Sequence, residues 1–258
     1  MKEDISVVVG TYDETRTGRA ERESLARIIE RHGFKVERAP IAWPMDLYVY
    51  CDGKYVHGTA GEGGCVHLGD GYLIASENMF IDPESHIRAD AEAMMRPHYP
   101  GRRVHSMPAG YNAAEAGMLE SCSIIDHIDM TSLLIPSRGL LLVDQSFYRR
   151  NMWYGENPKR RIAEIAEKES LTLEYYNPSS NSSSRYFPMN CLVLPWKKGE
   201  EIVFANSNVK PFLRLLNKYD ITFAEVDFKY TPQHMLGSIR CCTNVKKRKT
   251  EIYRLLRR

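Results

Sequence analysis

The sequence predicts an α/β fold built by repetition, a ring with its strands turned inward and its helices outward. Three observations lead there. One unit, made of a helix, a strand, a polar or Pro/Gly-containing loop and a strand opening on an unusual polar residue, appears and then returns three times. Such units cannot each bury an apolar face alone, so closing them on one another is the economical arrangement. The 258 residues, 43% of them hydrophobic, suffice for a full core. A single domain over residues 1–258 is expected.

The first unit opens with Ile5-Ser6-Val7-Val8-Val9-Gly10, a β-branched run closed by glycine that reads as a buried strand. Thr11 to Arg19 reads as a polar loop. Glu21 to His32 carries Leu25, Ile28 and Ile29 at helical spacing and stops at Gly33. Phe34 to Pro40 alternates as a strand, Trp43-Pro44 breaks it, and Met45 to Tyr50 begins another strand that turns at Asp52-Gly53, a hairpin signal.

The second unit runs from a Pro83 to Met95 helix through an Arg103 to Pro108 strand to Ile124-Ile125-Asp126-His127-Ile128-Asp129, with a hairpin at Ser137-Arg138-Gly139. The third runs from a Lys159 to Lys168 helix through Leu171 to Tyr175, across Asn177 to Arg185, to Met189-Asn190-Cys191-Leu192-Val193-Leu194, with a hairpin at Lys198-Gly199. The fourth runs from a Val209 to Tyr219 helix through Ile221 to Val226, across Tyr230-Thr231-Pro232, to Ser238-Ile239-Arg240-Cys241. Superposed, the units put Asp46, His127 with Asp129, Asn190 and Cys241 at matching places. If both Cys241 and Cys242 lie on a strand, they point to opposite faces and only one serves the site. A separate hairpin spans Gly61 to Ala75 and begins at Glu62; its Gly63-Gly64 pair leaves room for close approach of backbone or ligand. No Gly-Lys-Ser/Thr or GxGxxG pattern leads from it into a helix, so it does not read as a phosphate loop. Ser179 to Ser184, a low-complexity run, reads as a mobile loop of the third unit.

Composition excludes several classes. Lys+Arg number 35 and Asp+Glu 33, so no global field draws the chain to nucleic acid or lipid. The basic run from Lys246 to Arg258 reads as a solvated helix face, and nucleic-acid binding is not expected. The six cysteines, at 51, 65, 122, 191, 241 and 242, have no zinc-type spacing, so neither a metal nor another cofactor is expected. No signal-peptide pattern and no apolar run of about 18 residues is present, which gives the expectation of a reduced, cytoplasmic protein without a membrane segment.

Chemistry is concentrated at the segment Leu236-Gly237-Ser238-Ile239-Arg240-Cys241-Cys242-Thr243-Asn244. A thiol beside a guanidinium is biased toward thiolate, the nucleophilic form. Taken one at a time, Cys241 reads as a core residue, Asp46 as a turn cap, Glu62 as a strand-edge charge and His127 with Asp129 as a structural ion pair. Joint occurrence at equivalent repeat positions favours a site.

Four stretches, in order, resemble the pentein, or guanidino-group-modifying, superfamily. Pro44-Met45-Asp46-Leu47 is similar to its Arg-Asp strand start, with Met45 in place of Arg. Glu62-Gly63-Gly64 is similar to its Glu-Gly-Gly, His127-Ile128-Asp129 to its His-x-Asp, and Gly237 to Cys241 to its terminal nucleophile motif. The continuation Met130-Thr131 and the tail from Cys241 to Arg248 resemble the amidinotransferases in particular. The resemblance implies a β/α-propeller of five ββαβ-type modules around a pseudo-fivefold axis. It implies a small guanidine substrate such as arginine, a nucleophile at Cys241, and an acid and base at His127. Carboxylates at Asp46, Glu62 and Asp129 would hold the guanidinium through charge-assisted hydrogen bonds, with Glu62 and Asp129 also in catalysis and Asn190 among the substrate-binding residues. Attack of Cys241 on the guanidino carbon gives an amidino-thioether. Resolution by an acceptor amine makes the enzyme an amidinotransferase, the first expectation. Resolution by water makes it a hydrolase of the arginine deiminase, dihydrolase or dimethylargininase type. A non-catalytic binding module of the same fold is the remaining alternative, and the oligomeric state is left open.

Overall fold

A computed structural model describes residues 5–80, 89–108, 110–112, 123–125, 127–148, 157–177, 186–235 and 237–247. The Ser179 to Ser184 run, Cys122, Leu236 and most of the basic tail lie outside them. The chain divides into two compact units, one formed by residues 1–63 with 182–258 and the other by residues 64–181.

The first unit contains two three-stranded sheets of one design. In one, β16 (Thr243–Lys247) pairs antiparallel with β1 (Ile5–Gly10), and β1 pairs parallel with β2 (Val36–Ala39). In the other, β13 (Leu192–Pro195) pairs antiparallel with β14 (Glu201–Asn206), which pairs parallel with β15 (Thr222–Val226). The parallel pairs need a crossover, supplied by α1 (Arg16–Arg31) and α4 (Lys210–Lys218). A two-stranded hairpin, β3 (Val49–Cys51) with β4 (Lys54–Val56), turns at Asp52-Gly53 as the sequence predicts. Both turn residues have positive φ, 49° and 78°, which is what a two-residue hairpin turn of this hand requires.

Helix α1 starts five residues earlier than its apolar periodicity indicates. Thr15 is the N-cap and accepts from Gly18 N, while Asp13 Oδ1 accepts from both Thr15 N and Thr15 Oγ1. This local hydrogen bonding converts part of the expected loop into helix. Leu25, Ala26 and Ile29 then turn into a core with Val7, Val9, Leu194, Phe204, Val226, Phe228, Ile239 and Cys242. A short helix that the sequence reading placed in a loop, α5 (Tyr230–Met235), follows β15. Glu21 on α1 caps it, its carboxylate accepting from Lys229 N, Tyr230 N, Thr231 N and Thr231 Oγ1.

The second unit repeats the design twice. β5 (Val66–Leu68), β6 (Tyr72–Ser76) and β7 (Arg103–Met107) form one sheet, and β10 (Ser132–Ile135), β11 (Leu140–Asp144) and β12 (Thr172–Tyr176) another. The crossovers contain α2 (Ala91–Met95) and α3 (Pro158–Lys168). Helix α2 is shorter than the expected Pro83 to Met95 helix: Asp90 is its N-cap and accepts from Glu92 N and Ala93 N, and residues 81–88 lie outside the described range. β8 (Gly110–Asn112) and β9 (Ser123–Ile125) form a separate antiparallel pair. Half-buried Arg161 ties α3 to this unit through an ion pair with the buried Glu77, 2.6 Å, and a bond to Ser106 O, 3.1 Å.

No helix among the described residues is long and apolar enough to cross a membrane. Among the same residues no disulfide links Cys51, Cys65, Cys191, Cys241 and Cys242.

Candidate active site

The expected site residues do not open strands. They occupy tight turns just before strands, a correction to the reading that placed them in the β-runs themselves. Asp46 lies in a 3-10 turn, Pro44–Leu47, before β3. Glu62 follows the 3-10 turn Thr59–Gly61, with Gly63–Cys65 continuing into β5. His127 caps the 3-10 turn Ile128–Met130, which contains Asp129 and precedes β10. Asn190 precedes β13 in a turn closed by its own N–H to Phe187 O, 3.0 Å. Cys241 and Cys242 form a turn before β16, closed by Cys242 N to Ser238 O, 3.2 Å, and Thr243 N to Arg240 O, 2.9 Å. Each segment closes backbone hydrogen bonds within itself before it reaches a neighbouring strand. Asp46, Glu62, Asn190 and Cys241 fall in the first unit, and His127 and Asp129 in the second.

In the first unit, Asn190 and the cysteine turn are joined by four hydrogen bonds. Asn190 Oδ1 accepts from Ser238 N and from Cys241 N, each 3.2 Å. Asn190 Nδ2 donates to Cys241 Sγ, 3.1 Å, and Asn190 O accepts from Arg240 N, 3.2 Å. Asn190 is almost wholly buried, at 1% exposure. Its amide is therefore directed at the cysteine turn.

The two cysteines separate as the strand argument anticipated, although no strand holds them. Cys241 Sγ meets an amide donor, whereas Cys242 is fully buried within the apolar core. Burial pushes the Cys242 thiol up to about 12, against a smaller opposing pull from Arg22. Cys242 is thus a neutral thiol near pH 7.

Asn244, three residues past Cys241, stands in the sequence only as the end of the cysteine segment. Its Nδ2 donates to Pro44 O and to Tyr48 O, 2.8 Å each. Those carbonyls bracket the turn that carries Asp46, so β16 fixes that turn immediately after delivering the cysteines. Trp43 supports the same region: its ring lies where a Cβ on Gly237 would come within 2.8 Å. The buried Arg22 guanidinium stacks over Trp43 at 4.8 Å, bonds Ala42 O at 2.6 Å, and lies 3.6 Å from Asp13.

In the second unit, the turn after His127 is held from beneath. Ser132 Oγ donates to Ile128 O, 2.8 Å, and lies 3.0 Å from Nε2 of the buried His67. Thr131 Oγ1 lies 3.0 Å from Tyr148 Oη, which donates to Pro108 O at 3.1 Å. Asp129 is fully buried. Neither His67 nor Ser132 carries a motif that sequence reading would single out.

The doubled glycine has an outcome of its own. A Cβ on Gly64 would sit 2.4 Å from His127 Nδ1, and one on Gly63 would sit 2.3 Å from Met45 Sδ. Close approach is needed as expected, and here protein side chains approach: the imidazole at one glycine and the side chain next to Asp46 at the other.

No family model matches the sequence, and no curated protein does either. Solved structures do match. One is an arginine dihydrolase of the ornithine–ammonia cycle in cyanobacteria, with TM-score 0.60 and 13% identity over 97% of this chain and 40% of that one. A putative arginine deiminase from Porphyromonas gingivalis has TM-score 0.56 and 13% identity over 95% and 96% of the two chains. An amidinotransferase of saxitoxin biosynthesis from Microseira wollei has TM-score 0.46 and 18% identity over 88% and 62%. The chain thus spans 62% of the length of this amidinotransferase and 40% of the dihydrolase.

Proposed function

We propose that this chain, whose fold is that of the arginine dihydrolase and deiminase structures and hence of the penteins, is a guanidino-group-modifying enzyme working through Cys241. The observation that carries the reading is the amide of Asn190 on the sulfur of Cys241, 3.1 Å away, beside a second cysteine sealed into the core. A structural cysteine has no need of a dedicated polar donor, whereas a nucleophile gains from one.

In the proposed reaction Cys241 Sγ attacks the guanidino carbon, and a C–N bond breaks. His127 gives a proton to the departing amine and later takes one from the incoming nucleophile. Asp46, Glu62 and Asp129 are the carboxylates assigned to the guanidinium, whose charge and planar N–H array match carboxylate oxygens. The bound intermediate is an amidino-thioether. An acceptor amine resolves it in the transferase reading, which the resemblance of His127-Ile128-Asp129-Met130-Thr131 and of the tail favours. Water resolves it in the hydrolase reading. A five-module β/α-propeller within a single domain is the architecture that goes with this proposal.

Arginine is the first substrate to try, because it is named for two of the structures that share this fold. The test is release of ornithine or ammonia from arginine and other guanidines, with and without acceptor amines, against Cys241→Ala. Acceptor-dependent release supports the transferase, and acceptor-independent release the hydrolase. Release that persists in Cys241→Ala would reject Cys241 as the nucleophile, and no release by the wild type from any guanidine would favour a binding module.

A further inference from the structure

We infer that Asn190 is the positioning residue of the nucleophile, shaping the turn around Cys241 with its carbonyl oxygens and holding the sulfur as a thiolate with its amide nitrogen. The inference deepens the proposed function and rests on it for the use to which the thiolate is put. Its geometry is fully contained in the first unit.

Asn190 Oδ1 gathers the N–H groups of Ser238 and Cys241, and its main-chain oxygen takes that of Arg240. Three N–H groups of a four-residue segment are thereby committed to one residue, which fixes the direction in which Cys241 leaves the backbone. With Oδ1 engaged as an acceptor, the amide orientation is set, and Nδ2 must present its hydrogens on the other side. There it meets Cys241 Sγ at 3.1 Å. A hydrogen bond donated to the charged form of an acid favours that form, so this contact favours thiolate over thiol. Because Asn190 is buried, water does not compete for the donor.

Other charged groups belong to the same surroundings. Arg240 is on the turn itself, with Nη2 3.3 Å from Gly63 O. Asp46, on the Pro44–Leu47 turn, acts on the neighbouring Cys242, as do Arg22, Glu21 and Asp13 from α1 and the segment before it. Glu62 lies beside Gly63. These groups stay the same when only Asn190 is changed, so a shift common to Asn190→Ala and Asn190→Asp reports the amide rather than the carboxylate that the second variant adds.

The experiment is the pH profile of alkylation by iodoacetamide, read on the Cys241 peptide by mass spectrometry, in the full chain without substrate. Asn190→Asp keeps an oxygen to accept from Ser238 N and Cys241 N and so keeps the turn, but it removes the donor and sets a carboxylate near sulfur. Its Cys241 profile is expected to move up by about one pH unit or more, with about tenfold slower labelling near pH 7. Asn190→Ala removes the donor and the Oδ1 acceptor together and is expected to move the profile in the same direction. Thermal unfolding of each variant separates a shifted thiol from a melted turn, which would label faster rather than slower. Coincident profiles in the wild type and both variants would overturn the inference, as would faster labelling in a folded Asn190→Asp. A wild type that modifies no guanidine would sink the proposed function and still leave this profile readable.

Discussion

At the scale of single residues, adjacent cysteines of one turn have opposite fates. Cys241 is bound by an amide donor, and Cys242 is packed with Val7, Ile29 and Phe204 in the core. Cys241→Ala is expected to abolish turnover with the fold retained. Cys242→Ala is expected to keep turnover while lowering stability by about 1 kcal/mol for the buried volume it removes, measured by denaturant unfolding beside an activity assay. The raised thiol of Cys242 also gives a pH dependence with a definite sign. A folded value near 12 against an ordinary 9.0 means that the folded state holds the proton more tightly. The contribution is therefore complete below about pH 9 and is lost as pH rises toward 12. Unfolding free energies of Cys242→Ala and the wild type measured across that window are expected to converge and then cross as pH rises. A constant difference would assign the alkaline loss to other groups.

At the scale of elements, the site depends on turns that distant residues hold. Asn244 bonds carbonyls 200 and 196 residues away, at Pro44 and Tyr48. Its replacement by alanine leaves two buried acceptors without that donor, for which a loss of about 1–3 kcal/mol is expected. Under the proposed roles, displacing the Asp46 turn raises KM for the guanidine more than it lowers kcat, and steady-state kinetics would check that split. Glu21→Ala removes the cap of α5, which leads toward Gly237 and the cysteine turn, and a loss of about 1–2 kcal/mol is expected in thermal or denaturant unfolding. These elements also mark what was legible. The β1 strand, the Asp52-Gly53 hairpin and the helices α3 and α4 follow from β-branched runs, turn residues and 3.6-residue spacing, all of which act locally. The 3-10 turns under Asp46 and Asp129, and the helix start at Arg16, depend on side-chain bonds from Asn244, Ser132 and Asp13. Apolar periodicity does not register such bonds, so the turns read as strand and the first turn of α1 as loop. Asn190 was placed correctly in its repeat, but its partners at 238, 240 and 241 are brought to it only by the fold.

At the scale of the whole molecule, one ββαβ sheet design recurs four times among the described residues, twice in each unit. In the first unit β1, near one end of the sequence, pairs with β16, near the other. Removing residues 243–258 would strip β1 of its antiparallel partner and take Asn244 and the ion pair of buried Lys246 with half-buried Glu37 with it. Circular dichroism of that truncation is expected to show lost cooperative unfolding of the first unit. The central claim, however, concerns chemistry at one sulfur, and intact-protein and peptide mass spectrometry of the wild type and His127→Ala, quenched during incubation with arginine and a panel of other guanidines, tests it most directly. The account predicts an amidino-type adduct on the Cys241 peptide for at least one guanidine and none on the Cys242 side chain or in Cys241→Ala. An adduct on Cys242, or turnover of a guanidine that persists in Cys241→Ala, would contradict it.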